Sequence, residues 1–140
     1  MKRLRAADLI VHAGDLTTSA VLEELRGYGK VAAVHGNVDE DALRTALPAQ
    51  LELDLGGRPV GVIHDGGRRL ARLERLRRTF PDAEAVIFGH SHLPLHDTGA
   101  DGFQIFNPGS PTDRRRAPHH TMGMAHVDRS RLSFELIDLE

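Results

Sequence analysis

Four short apolar runs constrain this chain most, because each breaks off into a glycine-bearing cluster of histidine, aspartate or asparagine. The runs end in "HAGD" (His12 to Asp15), "HGNVD" (His35 to Asp39), "VIHDG" (Val62 to Gly66) and "GHSH" (Gly89 to His92). Each run is short and partly β-branched, as buried strands are. In an open α/β sheet the carboxyl ends of strands lie side by side, so clusters far apart in sequence can meet there. Glycine directly precedes Asp15, Asn37 and His90. A residue without Cβ lets the backbone turn sharply and present the next side chain to a crowded centre.

Helix signals alternate with these runs. Ser19 to Arg26 reads as a short helix closed by Gly27 and Gly29, and Asp39 to Leu47 as a helix with an acidic start that Pro48 stops. A third helix is predicted over Arg68 to Arg78, with Leu70, Leu73, Leu76 and Phe80 as its apolar stripe and its arginines on a solvated face. Leu51 to Leu55 and Pro59 to Ile63 flank Gly56-Gly57 as a β-hairpin, and Ala85 to Phe88 is a buried strand. From Leu95 the pattern is all β: Phe103 to Phe106, Thr121 to Val127, a turn at Asp128 to Ser130, and Leu132 to Leu139. The 140 residues show no repeat or linker, so the expectation is α/β with a β-rich C-terminal half, one domain over 1–140.

Composition narrows the chemistry. With no cysteine, disulfides and thiolate sites are excluded, and any metal must be held by His, Asp, Glu or Asn. A net charge of -2 gives no basic field to recruit nucleic acid. No apolar stretch approaches the roughly 18 residues that a membrane span needs. The opening "MKRLRAADLIVHAGD" runs into His12 and Asp15 without a cleavage-type stretch, so no signal peptide is read and a cytoplasmic location is expected. His-x-His at 90 and 92 lets two imidazoles converge from one loop, and neutral imidazole is a common transition-metal ligand.

The set "GD" at 14–15, "GNVD" at 36–39, His64 in "VIHDG", "GHSH" at 89–92 and "NPGS" at 107–110 resembles the calcineurin-like metallophosphoesterases over essentially the whole chain. Val38, where larger members have His, and the short spacings point to the small bacterial and archaeal phosphodiesterase subgroup, to which the phosphoesterase-fold subunit of retromer is related. The resemblance implies an αββα sandwich of two mixed sheets. It also implies hydrolysis of a small phosphate ester, most readily a diester, by metal-activated water at a dinuclear site. Asp15 would bridge two divalent ions, Asn37, His64 and His90 would complete one shell, and His92 would bind the other ion. Asp15, Asn37 and His64 form the implied catalytic set. Manganese is favoured among Mn, Ni, Fe, Co and Zn, all of which suit N/O donors. Two such ions, about 3.5–4 Å apart, clamp a phosphoryl group and neutralise developing charge.

His12 and His35 flank these ligands and are expected to support a carboxylate or a metal-bound water from behind, while Asp39 is expected to orient a neighbour or cap a helix. Two features depart from the family pattern. Its D-x-H motif is absent, and "MKRLRAAD" reads as the tail of a helix belonging to an upstream unit of roughly 25 residues. The expectation is therefore a chain lacking the N-terminal strand, with the Asn37 side of the site complete and the His92 side sparse, so that one or two ions are held. Valine at 38 also cannot donate a proton to a leaving group. The alternative reading is an interaction scaffold that keeps the fold without the chemistry. A strand lost from the sheet would invite homo-oligomers through exposed edges.

Overall fold

The computed structural model describes residues 6–15, 18–36, 39–111 and 117–139. The strand Ala85–Phe88 (β5) is buried at every position, which fits its unbroken apolar run. It lies between Arg58–Ile63 (β4) and Gln104–Asn107 (β7), parallel to both. Gln50–Leu55 (β3) adds antiparallel to β4, and Leu95–Thr98 (β6) antiparallel to β7, making a five-stranded mixed sheet in the order β3-β4-β5-β7-β6. Gly56 and Gly57 both have positive φ (63° and 87°) and turn the β3–β4 hairpin. That is the backbone twist a two-residue hairpin loop favours.

Successive residues of β5 face opposite ways. Val86 and Phe88 pack with Leu76, Phe80, Phe103 and Ile105 beneath the helix Arg72–Thr79 (α3). Ala85 and Ile87 point to the other side and pack with Val60, Leu132, Val11, Ala13 and Phe134. Val11 belongs to Ile10–His12 (β1), which pairs in parallel with Val31–Ala33 (β2). Leu132 and Phe134 belong to Leu132–Asp138 (β9), paired antiparallel with Thr121–Val127 (β8). The far face of the β1–β2 pair is covered by the helices Ser19–Arg26 (α1) and Asp41–Ala46 (α2), through Leu22, Leu43, Ala33 and Val31. The layers thus run helix, strand, strand, helix. Among the described residues the second strand layer consists of a parallel pair and a separate hairpin.

The third helix departs from expectation. It begins at Arg72, after Ala71 in the left-handed region (φ 56°), and Leu70 is 84% exposed instead of joining the apolar stripe. The arginines explain the shift. Arg75 donates to the carbonyls of Gly66 (3.0 Å), Leu70 (2.8 Å) and Arg68, and Arg72 donates to Gly67 O while lying 5.0 Å over the Phe88 ring. These guanidinium groups tie down the loop after β4 instead of facing solvent together. Arg77 pairs with Asp101 at 2.6 Å over the Phe103 ring.

Candidate metal centre

β1, β2, β4, β5 and β7 run parallel within their ladders, and the loops leaving β1, β4 and β5 are linked at their carboxyl ends. His64, just past β4, donates Nδ1–H to the carbonyl of Ala13 at 2.7 Å. Its own carbonyl accepts the N–H of Gly89 at 2.8 Å. The three loops are thereby joined by hydrogen bonds that depend on no metal.

A carbonyl can only accept, so the Ala13 bond places a proton on Nδ1, and in the neutral imidazole that a metal requires Nε2 is the lone-pair donor. That nitrogen lies 3.2 Å from Asp15 Oδ2 and 3.2 Å from His90 Nδ1. Asp15, His64 and His90 each offer one ligand atom, all within 4.8 Å of one another. With His64 Nε2 accepting, His90 Nδ1–H donates to it here and would give up that proton to a bound cation. One carboxylate and two imidazoles so placed form a donor set suited to a borderline divalent cation. A ligating histidine whose other nitrogen donates to a carbonyl is the usual outer support of such sites.

The backbone is shaped around these side chains. Among the described residues, the non-glycine positions with positive φ are Asp15 (61°), Ala71, His90 (70°) and His92 (59°). Such conformations persist only where the surroundings hold them, and they gather at functional sites. A Cβ on Gly36 would lie 2.1 Å from Asp15 Oδ1, and one on Gly14 would lie 2.5 Å from His64 Nδ1. The glycines that lead into these motifs therefore make room for the ligand-type side chains themselves.

The other expected residues take separate places. Asp39 is 5% exposed, and its Oδ2 accepts the N–H groups of Gly36 (2.6 Å) and Asp15 (3.1 Å), pinning the first two loops together. It orients neighbours and does not cap α2, whose N-cap is Glu40. His12 Nδ1 accepts the N–H of Gly14 at 3.2 Å. Burial pushes the His12 imidazole below its usual range, against the opposing pull of Asp39 and Asp15. His35 is half-buried and donates its backbone N–H to Pro48 O, and His92 lies outside the three-residue group. Asn37 and Val38 fall outside the described residues.

Two contributors carry little sequence signal. The carbonyl of Ala13 acts through its backbone, so side-chain pattern does not mark it. Asn107 lies in the recognised "NPGS", but only the pairing of β5 with β7 shows that its amide reaches the "GHSH" turn, at Gly89 O and Ser91 Oγ.

Comparison with known proteins gives a consistent picture. Residues 1–130 match the model of the calcineurin-like phosphoesterase superfamily domain. The chain is 35% identical to a probable metallophosphoesterase of Methanocaldococcus jannaschii, covering 95% of this chain and 67% of the relative. A probable metallophosphoesterase of Methanothermobacter thermautotrophicus is 32% identical, with 95% and 77% covered. Among solved structures, Vps29 of Entamoeba histolytica complexed with Zn2+ superposes with TM-score 0.76 at 21% identity, covering 99% of this chain and 87% of that one. A novel archaeal phosphodiesterase superposes with TM-score 0.73 at 17% identity, covering 94% and 84%. At these identities the structural likenesses establish the fold.

Proposed function

Because this chain belongs to the calcineurin-like phosphoesterase superfamily, we propose that it is a metal-dependent phosphodiesterase whose metal is held by Asp15, His64 and His90. The observation that carries the reading is the convergence of those three side chains, with the His64 tautomer fixed by Ala13 O. Asn37 follows Gly36 in sequence and is assigned to the same shell, and His92 to a second ion beside it. Divalent ions bound there, manganese foremost, would supply Lewis-acid polarisation of the phosphoryl oxygens and a nucleophilic water at neutral pH.

The chain's own groups do the rest. Asp15 contributes the one negative charge of the three-residue group, while His64 and His90 add donor atoms without charge, so an anionic phosphate ester can approach. Asp39 holds the Asp15 and Gly36 amides in place. The depressed His12 stays uncharged at neutral pH, and with Nδ1 accepting from Gly14 its proton resides on Nε2, where it can support a neighbouring acceptor. A cysteine-free chain suits the cytoplasm, the compartment assigned here. The scaffold alternative is supported by fold likeness to Vps29 and by the absent D-x-H motif; the converging Asp15, His64 and His90 favour the hydrolytic reading.

Val38 offers no proton to the leaving group, so the departing oxygen must leave largely as an anion. A series of aryl phosphodiesters, assayed with Mn2+, should give log rates that fall steeply as leaving-group pKa rises. A flat series with chemistry rate-limiting would show that another residue of this chain donates the proton, with His12 and His35 the first to replace.

A further inference from the structure

The geometry points to Asn107 as a positioning residue that sets the "GHSH" turn, and through it His90 and His92, for metal binding. The inference rests on the metal reading above and adds to it a residue with no ligand role. His90 and His92 both hold left-handed backbone (φ 70° and 59°) on either side of Ser91. Two such residues in one tripeptide revert to ordinary conformations unless something outside the turn restrains them.

Asn107 supplies that restraint. It is completely buried at the end of β7, beside the end of β5. Its Nδ2 donates to Gly89 O (3.2 Å) and Ser91 Oγ (3.3 Å), and its Oδ1 accepts the N–H of Gly109 (2.9 Å). The amide orientation follows from these partners, since Gly109 N–H requires the oxygen and Gly89 O requires the nitrogen. Ser91 Oγ relays the hold to the far side of the turn by accepting the N–H of Leu93 at 3.2 Å. The "PGS" that follows is fixed in turn: Thr121 Oγ1 donates to Pro108 O at 2.8 Å, and Thr121 N–H to Ser110 O at 3.0 Å. A side chain that donates twice on one side and accepts on the other, at this length, is an asparagine. Aspartate cannot donate, and glutamine is a methylene too long.

The test compares Asn107→Ala, Ser91→Ala and Thr121→Val with wild type. Each is measured for Mn2+ dissociation constant well below its melting point, and for melting temperature in chelator. Outer-shell partners of metal ligands typically contribute roughly 10–100-fold in affinity. Asn107→Ala should weaken Mn2+ binding by about that factor, and Ser91→Ala by a smaller factor while melting close to wild type. Thr121→Val loosens the same "NPGS" turn without touching the histidine turn, so it should melt lower and bind Mn2+ as wild type does. Should Asn107→Ala fail to fold, Ser91→Ala decides. Unchanged affinity in Ser91→Ala and in any folded Asn107→Ala, or an equal loss in Thr121→Val, would overturn the positioning role while leaving the metal site standing. A wild-type chain that takes up no Mn2+ would remove both.

Discussion

Asp15→Asn is expected to lower Mn2+ affinity by more than about a hundredfold, because even partners one layer outside a metal shell contribute roughly 10–100-fold and Asp15 is a proposed ligand. The same substitution should leave the melting temperature in chelator unchanged or higher. Asp15 sits at φ 61° with Oδ2 3.2 Å from His64 Nε2. Asparagine tolerates left-handed backbone and replaces the carboxylate charge with a neutral amide. A large loss of affinity without a fall in melting temperature distinguishes a binding residue from a structural one. His12→Ala should weaken binding less, since His12 touches the site through the Gly14 amide. Equal losses in calorimetric titrations of the two variants would refute the ligand assignment of Asp15.

Gly14→Ala should destabilise the chain by at least about 2 kcal/mol, combining a backbone conformation that costs roughly 1–3 kcal/mol with a collision. At Gly14 φ is 102°, and an added Cβ would sit 2.5 Å from His64 Nδ1 and 3.0 Å from Gly36 Cα. The imidazole would have to leave its bond with Ala13 O, so Mn2+ affinity should fall as well. Gly57→Ala is the control: φ is 87° and nothing lies within 4 Å of the added Cβ. It should show the backbone cost alone, without loss of metal binding. Urea denaturation and metal titration of both variants check this, and equal effects would mean that His64 is not wedged against the first loop.

How much of this was legible before the structure differs by element. The helix over Ser19 to Arg26, the hairpin at Gly56-Gly57 and the buried strand at Ala85 to Phe88 were readable because local propensity and tertiary burial agree there. The third helix begins four residues later than its apolar period predicts, at Arg72 rather than Arg68. Leu70 matched the apolar period, but Arg72 and Arg75 gained more by binding the carbonyls of Gly66 to Leu70 than a helix over those residues would have offered. Histidine and aspartate at strand ends were visible as residue types. The bond from His64 to Ala13 O and the reach of Asn107 to Gly89 were not, because both depend on which strands lie side by side. Asp39 shows the same limit. Its position allows either orienting a neighbour or capping a helix, and only the fold separates the two: its carboxylate turns to the Gly36 and Asp15 amides while Glu40 takes the cap position.

Hydrolysis by this chain is expected to depend on metal held at Asp15, His64 and His90. The decisive experiment strips wild type and His90→Ala with chelator, titrates each with Mn2+, and records bound metal per chain and the rate on an activated aryl phosphodiester at every point. The stripped proteins should show no activity, the wild-type rate should rise in step with metal taken up, and His90→Ala should need far more Mn2+ for either. Stripped wild type that still turns over substrate, or a His90→Ala variant that matches wild type in both metal uptake and rate, would contradict that dependence.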